Sequence, residues 1–516
     1  MTASSRRPRS GSRRRRSPDS ARAGLDQPPF RQLRNPYRPV ELLSADEIES
    51  IHNASLTVLE EIGINFLLPE ARDILRAAGA DVEPDGPRVR FDRGLIDQSL
   101  KSIPAEFTLH ARNAERNLIF GGNCLNISSV SSPPNASDLD GGRRSGNFVD
   151  YCNFLKLSQS LNIVHMTFGH PVEPIDIEPA IRHLRSTLAR IELTDKAFSG
   201  YSLGRQRILD IIEIARISRG IDADQLHREP SLISNINANS PLQYDKSMLW
   251  GIMEMSSRNQ AISITPFTLS GAMAPITVAG ALVQQNAEAL AGLSFTQLVN
   301  PGAPVIYGGF TSNVDMKTGS PAFGTPENAK ATIAGGQLAR RYGVPYRSSN
   351  VNASNAPDAQ AVYESMMVTW AAVMGGANVI YHGCGWLEGG LTASFEKFII
   401  DAEIMQMMAA FLDPLGVSTD DLGVEAIRDV GPGGHFFSTA HTLERYETAF
   451  YQSMLSTRQN FENWQETGSI DTASRANAIW KTLLAEYQQP PMDPAIDEAL
   501  RDYVERRKRE IAQTTD

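Results

Sequence analysis

The chain has 516 residues, 41% hydrophobic and 21% charged, with a formal charge of −10 and three cysteines. That length can bury a large core and exceeds the usual single domain. No apolar run reaches 18 residues, so no transmembrane helix is expected. Cys124, Cys152 and Cys384 are too scattered for a disulfide framework, which points to a reducing, cytoplasmic setting.

Residues 1–22 hold eight arginines and one aspartate, or +7, leaving −17 on the remainder. Arg13–Arg16, set among Ser, Gly and Pro, cannot bury apolar surface, and residues 1–34 read as a disordered tail. The acidic body argues against nucleic acid as a partner. Ser44 and Glu47 form a capping box that starts a helix, with Ile48, Ile51, Ser55, Leu59 and Ile62 along one face and Gly63 as its stop. Residues 35–159 read as an α/β elaboration, with turns at Asp85-Gly86-Pro87 and Asp140-Gly141-Gly142.

From about residue 160 a regular alternation sets in. Apolar runs at 163–169, 197–203, 231–237, 261–267, 303–309, 345–351 and 378–382 are each followed by a helical pattern. Seven strand–helix units predict parallel strands with helical crossovers, and the span of about 250 residues fits a (β/α)₈ TIM-type barrel over 160–440. Residues 424–430 are the best candidate for the eighth strand. An open doubly wound sheet is the runner-up, but no Gly-x-Gly-x-x-Gly follows a strand. Residues 441–516 read as a C-terminal helical region; Asp493-Pro494 opens its last helix, and Arg506–Arg509 sit late, complementing the helix dipole.

Ligands of such barrels are handled after the carboxyl ends of the strands. Those positions hold Phe168 and His170; Tyr201; Asn235, Asn237 and Asn239; Thr265 and Phe267; Tyr307 and Phe310; Arg347, Asn350 and Asn352; then Tyr381, His382, Cys384, Trp386 and Glu388. A mouth rich in aromatics and amides and poor in Lys and Arg suits a small ligand with a soft cationic centre, held by cation–π contacts of about 0.5–2 kcal/mol each. A second glycine-rich segment, Gly431–Thr442, carries His435 and His441. With His382 and Cys384 these could supply zinc ligands, but His-x-Cys is not a familiar zinc spacing, and His435 reads better as a hydrogen-bonding, loop-ordering residue. No Gly-x-Ser-x-Gly elbow, P-loop or His-Glu-x-x-His occurs.

Gly383-Cys384-Gly385-Trp386-Leu387-Glu388-Gly389-Gly390, followed by Glu396-Lys397-Phe398 and Asp401-x-Glu403, resembles the trimethylamine methyltransferase superfamily. So do Pro357–Glu364 and Gly433-Gly434-His435-Phe436 with His441-Thr442, and the resemblance runs from about 35 to 490. It implies a (β/α)₈ barrel that moves a methyl group from an amine to the cob(I)alamin of a separate corrinoid protein. Trimethylamine enzymes carry pyrrolysine near the segment numbered 347–358 here, where this chain has only ordinary residues. The resemblance is therefore to the branch lacking pyrrolysine, which acts on quaternary amines such as glycine betaine.

On this reading Tyr307, Phe310, Tyr381, His382 and Trp386 surround the ammonium, with Glu388 nearby. Arg347, Asn350 or Asn237 holds a carboxylate, and Glu388 and His435 are the catalytic candidates. Cobalamin is expected on the partner, since no Asp-x-His-x-x-Gly segment is present. The expected partners are thus a corrinoid protein and a small methylated amine, with no metal, nucleic acid or membrane; assembly into a homo-oligomer is left open. The alternatives are a non-catalytic amine sensor and a zinc-dependent methyltransferase acting on a thiol or alcohol.

Overall fold

A computed structural model describes residue 25 and residues 27–515. Eight parallel strands close into a barrel: β1 (Cys124–Ser129), β2 (Met166–Thr167), β3 (Ala197–Gly200), β4 (Ile233–Ile236), β5 (Ala261–Ile264), β6 (Val305–Gly308), β7 (Tyr346–Ser349) and β8 (Val379–Cys384), with β8 pairing back onto β1. Each strand is followed by its barrel helix: α1 (Phe148–Ser160), α2 (Arg182–Leu193), α3 (Arg205–Ser218), α4 (Lys246–Ser257), α5 (Val278–Val299), α6 (Pro326–Tyr342), α7 (Ala359–Met374) and α8 (Phe395–Phe411).

The seven strand–helix units expected from the sequence are all present. The remaining strand is the first of the barrel and lies upstream of residue 160, whereas the expected eighth strand at 424–430 is a helix, Val424–Val430. In Cys124-Leu-Asn-Ile-Ser-Ser129 polar residues interrupt the apolar run, yet all six are buried, because both faces of a barrel strand are covered. Residues 27–34 are also placed, contrary to a tail extending to 34. Gln27 Nε2 donates to Ser160 O at 2.7 Å, Leu33 is buried, and Leu33–Arg34 pairs antiparallel with β1. The arginine run at 13–16 lies outside the described residues.

Side chains alternate across each strand, one row filling the barrel and the other facing the helices. The inner row includes Met166, Ala197, Ile233, Ala261, Ile306 and Val379; a hairpin, Glu106–Leu109 with Leu118–Gly121, pushes Leu109, Leu118 and Phe120 into the same cluster from below. The hairpin thus plugs the bottom of the barrel interior. Outside, α5 is buried nearly all round, because the helices Ala45–Thr57 and Arg93–Leu100 pack over it. The Ser44–Glu47 capping box is present, but the chain widens into a π-helical turn over Val58–Ile62, which carries Ile62 out to solvent. The helices Thr472–Ala485 and Pro494–Thr515 cover α1 and α8, and α2 and α3, respectively.

Two small sheets stand on the barrel mouth. One joins Phe267–Ser270, Phe310–Val314 and Pro321–Ala322, from the loops after β5 and β6. The other joins Trp386–Leu387, Thr392–Ser394, Asn135–Asp138 and Gly142–Ser145, from the loops after β8 and β1.

Candidate functional site

Between these sheets the mouth encloses a cavity of about 470 Å³, whose lining includes Phe168, Tyr201, Phe267, Phe310, Phe323, Trp386, His382 and Arg347. Hydroxyls and amides complete it, among them Ser131 and Ser132 after β1, Asn235 on β4 and Asn237 just beyond it. The aromatic wall is contiguous. The Trp386 indole stands edge-on to Phe310 and Phe323, with ring centres 6.4 and 6.3 Å apart, and lies 4.2 Å from the His382 ring centre. A Cβ on Gly390 would come within 2.5 Å of the indole, so the glycine after Glu388-Gly389 is needed for Trp386 to lie as it does.

Strand alternation decides which candidates reach the cavity. On β7, Arg347 points inward and Tyr346 outward. The Arg347 guanidinium is buried, its carbon 5.0 Å from the Phe310 ring centre and 4.8 Å from that of Tyr381, and Nη1 donates to Gly309 O at 3.3 Å. Its Nε has no partner, and no carboxylate among the described residues pairs with it. Burial pushes its pKa down to about 10, so it remains charged at neutral pH. A buried, uncompensated cation is costly, and an anionic ligand group would relieve it.

On β8, Val379 and Tyr381 point into the barrel and Ile380 outward. Alternation would send His382 outward as well. Instead the strand breaks register between Ile380 and Cys384, and His382 adopts φ 57°, which turns its ring into the cavity. Its Nδ1 accepts from the backbone N–H of Ser131 at 3.3 Å, and burial, then Arg347, hold it well below the usual imidazole range. The ring is therefore neutral with its proton on Nε2.

Other candidates lie elsewhere. Tyr307 is on the outward row of β6 and donates to Asn286 Oδ1 at 3.1 Å, between barrel and helices. Tyr381 lies beneath the cavity, its ring 3.9 Å from that of Phe168, and supports Arg347 from below. Asn350 faces away and donates through Nδ2 to Gly383 O at 3.0 Å, holding the β8 loop. Glu388 sits at the rim, where Arg143 Nε donates to it at 2.9 Å and Thr392 bonds the same oxygen. His435 is on an exposed excursion after α8, with Phe437 as its ring neighbour. Cys384 is fully buried in β8, and no group of three His, Cys, Asp or Glu side chains among the described residues converges as metal ligands do.

Phe323, Ser131 and Ser132 were missed by the sequence reading. Phe323 lies beyond the second strand of the β6 loop, and the two serines follow β1, the strand that was not recognised. Below the Trp386 loop a buried ion pair braces the site. Lys397 pairs with Asp401 and donates to Ser365 Oγ at 2.8 Å; Asp401 Oδ2 accepts from Gly385 N at 2.8 Å; Asn352 Nδ2 donates to Trp386 O at 2.6 Å.

The family model described as trimethylamine methyltransferase (MTTB) matches residues 9–512. The chain is 40% identical over 473 residues to a glycine betaine methyltransferase of Desulfitobacterium hafniense (strain Y51), covering 92% of this chain and 98% of that one. It is 29% identical over 465 residues to the trimethylamine methyltransferase MttB of Desulfitobacterium hafniense (strain DSM 10664 / DCB-2), covering 90% and 93%. Against the MttB of Methanosarcina barkeri (strain Fusaro / DSM 804) the figures are 30% over 465 residues, covering 89% and 93%. Among solved structures, the hydroxylamine MtmB complex aligns with 89% of this chain and 92% of that one at 11% identity and a TM-score of 0.49; the barrel assignment rests on the strand pairings themselves.

Proposed function

From the premise that the chain belongs to the trimethylamine methyltransferase family, we propose that it transfers a methyl group from glycine betaine, or a close carboxylated quaternary amine, to the corrinoid of a partner protein. The observation that carries the substrate assignment is the meeting, in one cavity, of an aromatic wall with a buried arginine that lacks an acidic partner. Aromatic faces attract a trimethylammonium group without locking it in an ion pair. Arg347 would repel a bare cation such as choline, but a zwitterion supplies the carboxylate that it lacks. The 40% identity to a glycine betaine methyltransferase supports the same substrate.

A quaternary nitrogen has no lone pair, and when its C–N bond breaks the electron pair stays on nitrogen. The departing amine is then neutral and needs no acid catalyst. The work left to the chain is to desolvate the cation, fix its carboxyl end and aim one methyl group at the opening. In this assignment Phe310, Phe323 and Trp386 hold the ammonium, while Arg347 and the Nε2–H of His382 hold the carboxylate. The corrinoid, in its cob(I) form, supplies the nucleophile that accepts the methyl group. It is far larger than this cavity and would meet it from outside the mouth, which fits delivery by a carrier.

The test mixes the purified chain with cob(I)alamin under strict reduction and follows loss of its absorbance with glycine betaine, choline and trimethylamine. Consumption with glycine betaine alone is the expected result. Equal rates with choline would refute the carboxylate assignment, and betaine binding without turnover, even with a cognate corrinoid protein, would make the chain a sensor.

A further inference from the structure

Tyr201 follows β3 and Arg347 lies on β7, half-way round the closed barrel, so the two line opposite walls of the cavity. Behind Tyr201 stands a carboxylate. Tyr201 Oη donates to Glu173 Oε1, from the loop after β2, and His170 Nδ1 lies 3.1 Å from the other carboxylate oxygen. His170 Nε2 is 2.8 Å from Ser186 Oγ of α2, and the His170 and Tyr201 ring centres are 4.3 Å apart. The same loop is tied to the loop after β1: Glu173 N donates to Pro133 O at 2.9 Å, and Ser132 N to His170 O at 2.7 Å. Burial alone would raise the Glu173 carboxyl, but the bonds from His170 and then Tyr201 hold it below the usual carboxylate range, so it is charged at neutral pH. Arg182 Nη1, 3.6 Å away, offsets part of that charge.

With a betaine in place the cavity holds two positive charges, the Arg347 guanidinium and the ammonium, against one carboxylate. No acidic side chain lines the cavity. An uncompensated cation in such a site is costly. Glu388 at the rim is already taken up by Arg143. Glu173 is the ionised acid that stands one hydrogen bond behind the wall.

We propose that Glu173, acting through Tyr201, is a positioning residue that draws the ammonium end of the substrate toward the wall opposite Arg347. It thereby lets the site tell a quaternary ammonium from an uncharged group of the same shape, an inference that rests on the betaine reading. A phenol that donates its proton to a carboxylate becomes more electron-rich, which strengthens the attraction of its ring for a cation. Opposed charges on the two walls also fix the zwitterion end to end, carboxylate toward Arg347 and ammonium toward Tyr201. The set-back position of the acid suits the reaction. Nitrogen loses its positive charge as its C–N bond breaks, so an acid in direct contact would stabilise the ground state more than the transition state. Held behind Tyr201, Glu173 orients the substrate without forming an ion pair with it.

Calorimetric titration of the full chain with glycine betaine and with tert-butylacetate tests the proposal. The second ligand has the same shape, with an uncharged carbon in place of the quaternary nitrogen. The wild type should bind glycine betaine more tightly. Glu173→Gln, which keeps an acceptor for Tyr201, should lower the betaine-to-isostere affinity ratio roughly tenfold, with the isostere bound no more weakly than before. Tyr201→Phe, which keeps the ring, should lower the ratio roughly threefold. An equal loss for both ligands, or an unchanged ratio, means a structural role and overturns the proposal. A wild type that binds the two ligands alike overturns it too, and leaves the betaine reading standing. A wild type that binds neither overturns both. Should Glu173→Gln fail to fold, Tyr201→Phe decides by the same ratio.

Discussion

Nδ1 of His382 accepts a hydrogen bond from the backbone N–H of Ser131 at 3.3 Å, stitching the end of β8 to the loop after β1 across the closure of the barrel. One bond thereby sets the ring's orientation and its tautomer. Because burial and Arg347 keep the ring neutral, kcat/KM should show no inflection near 6.5, the ordinary imidazole value. His382→Asn, which tolerates φ 57°, should raise the KM for glycine betaine by roughly tenfold through loss of one donor. An unchanged KM would remove His382 from the carboxylate subsite.

Arg347→Met should be the more severe change. Hydrogen bonds to a charged group contribute about 1.5–3 kcal/mol, so kcat/KM for glycine betaine should fall roughly 10- to 100-fold. Binding of choline, which has no carboxylate, should improve, because the repelling charge is gone. Calorimetric titration of both ligands reads this exchange directly; a parallel loss for both would mean that Arg347 is only structural.

Glu388 lies at the rim, its carboxylate held by Arg143 and Thr392. A partly exposed pair of this kind is worth about 0–1 kcal/mol. Glu388→Gln should thus change kcat/KM with glycine betaine by no more than about fivefold. A loss of a thousandfold would restore it as a catalytic group.

Burial raises the Asp401 carboxyl, and Lys397 opposes that rise. Asp401→Asn strands a fully buried ammonium and should cost about 3–5 kcal/mol of stability, read as a lowered Tm. The double change Lys397→Met with Asp401→Leu should cost less, because no charge is left buried. Since Asp401 also accepts from Gly385 N, both variants should show altered Trp386 fluorescence.

The C-terminal helix is tethered through Asp210, which accepts from Arg507 Nε at 2.7 Å and Tyr503 Oη at 2.9 Å and lies 2.9 Å from His183 Nε2. Burial alone would raise its pKa, but these bonds, with His183 first, hold it below the ordinary 3.8. A carboxyl depressed in the folded state contributes stability that is fully present above its unfolded value and is lost as pH falls through the folded one. Residues 494–515 should therefore become protease-sensitive only below about pH 4, and Asp210→Asn should produce the same sensitivity at pH 7.

Seven of the eight strand–helix units, the capping box at Ser44 and the Trp386-bearing loop were legible in the chain itself, because periodicity, caps and glycine-rich breaks are local properties of sequence. The first strand was not, since Asn126, Ser128 and Ser129 read as loop until the barrel closes over both of their faces. Nor was the division of the aromatic candidates. Tyr307 and Tyr381 each end an apolar run, but strand register sends one to the helices and the other beneath the cavity. His382 reaches the cavity only because the chain shifts register and φ turns positive as β8 meets β1. Composition and pattern thus determined that a barrel with an aromatic mouth would form. Which side chains face the ligand was decided by barrel closure, a long-range constraint that a one-residue change of register would reverse.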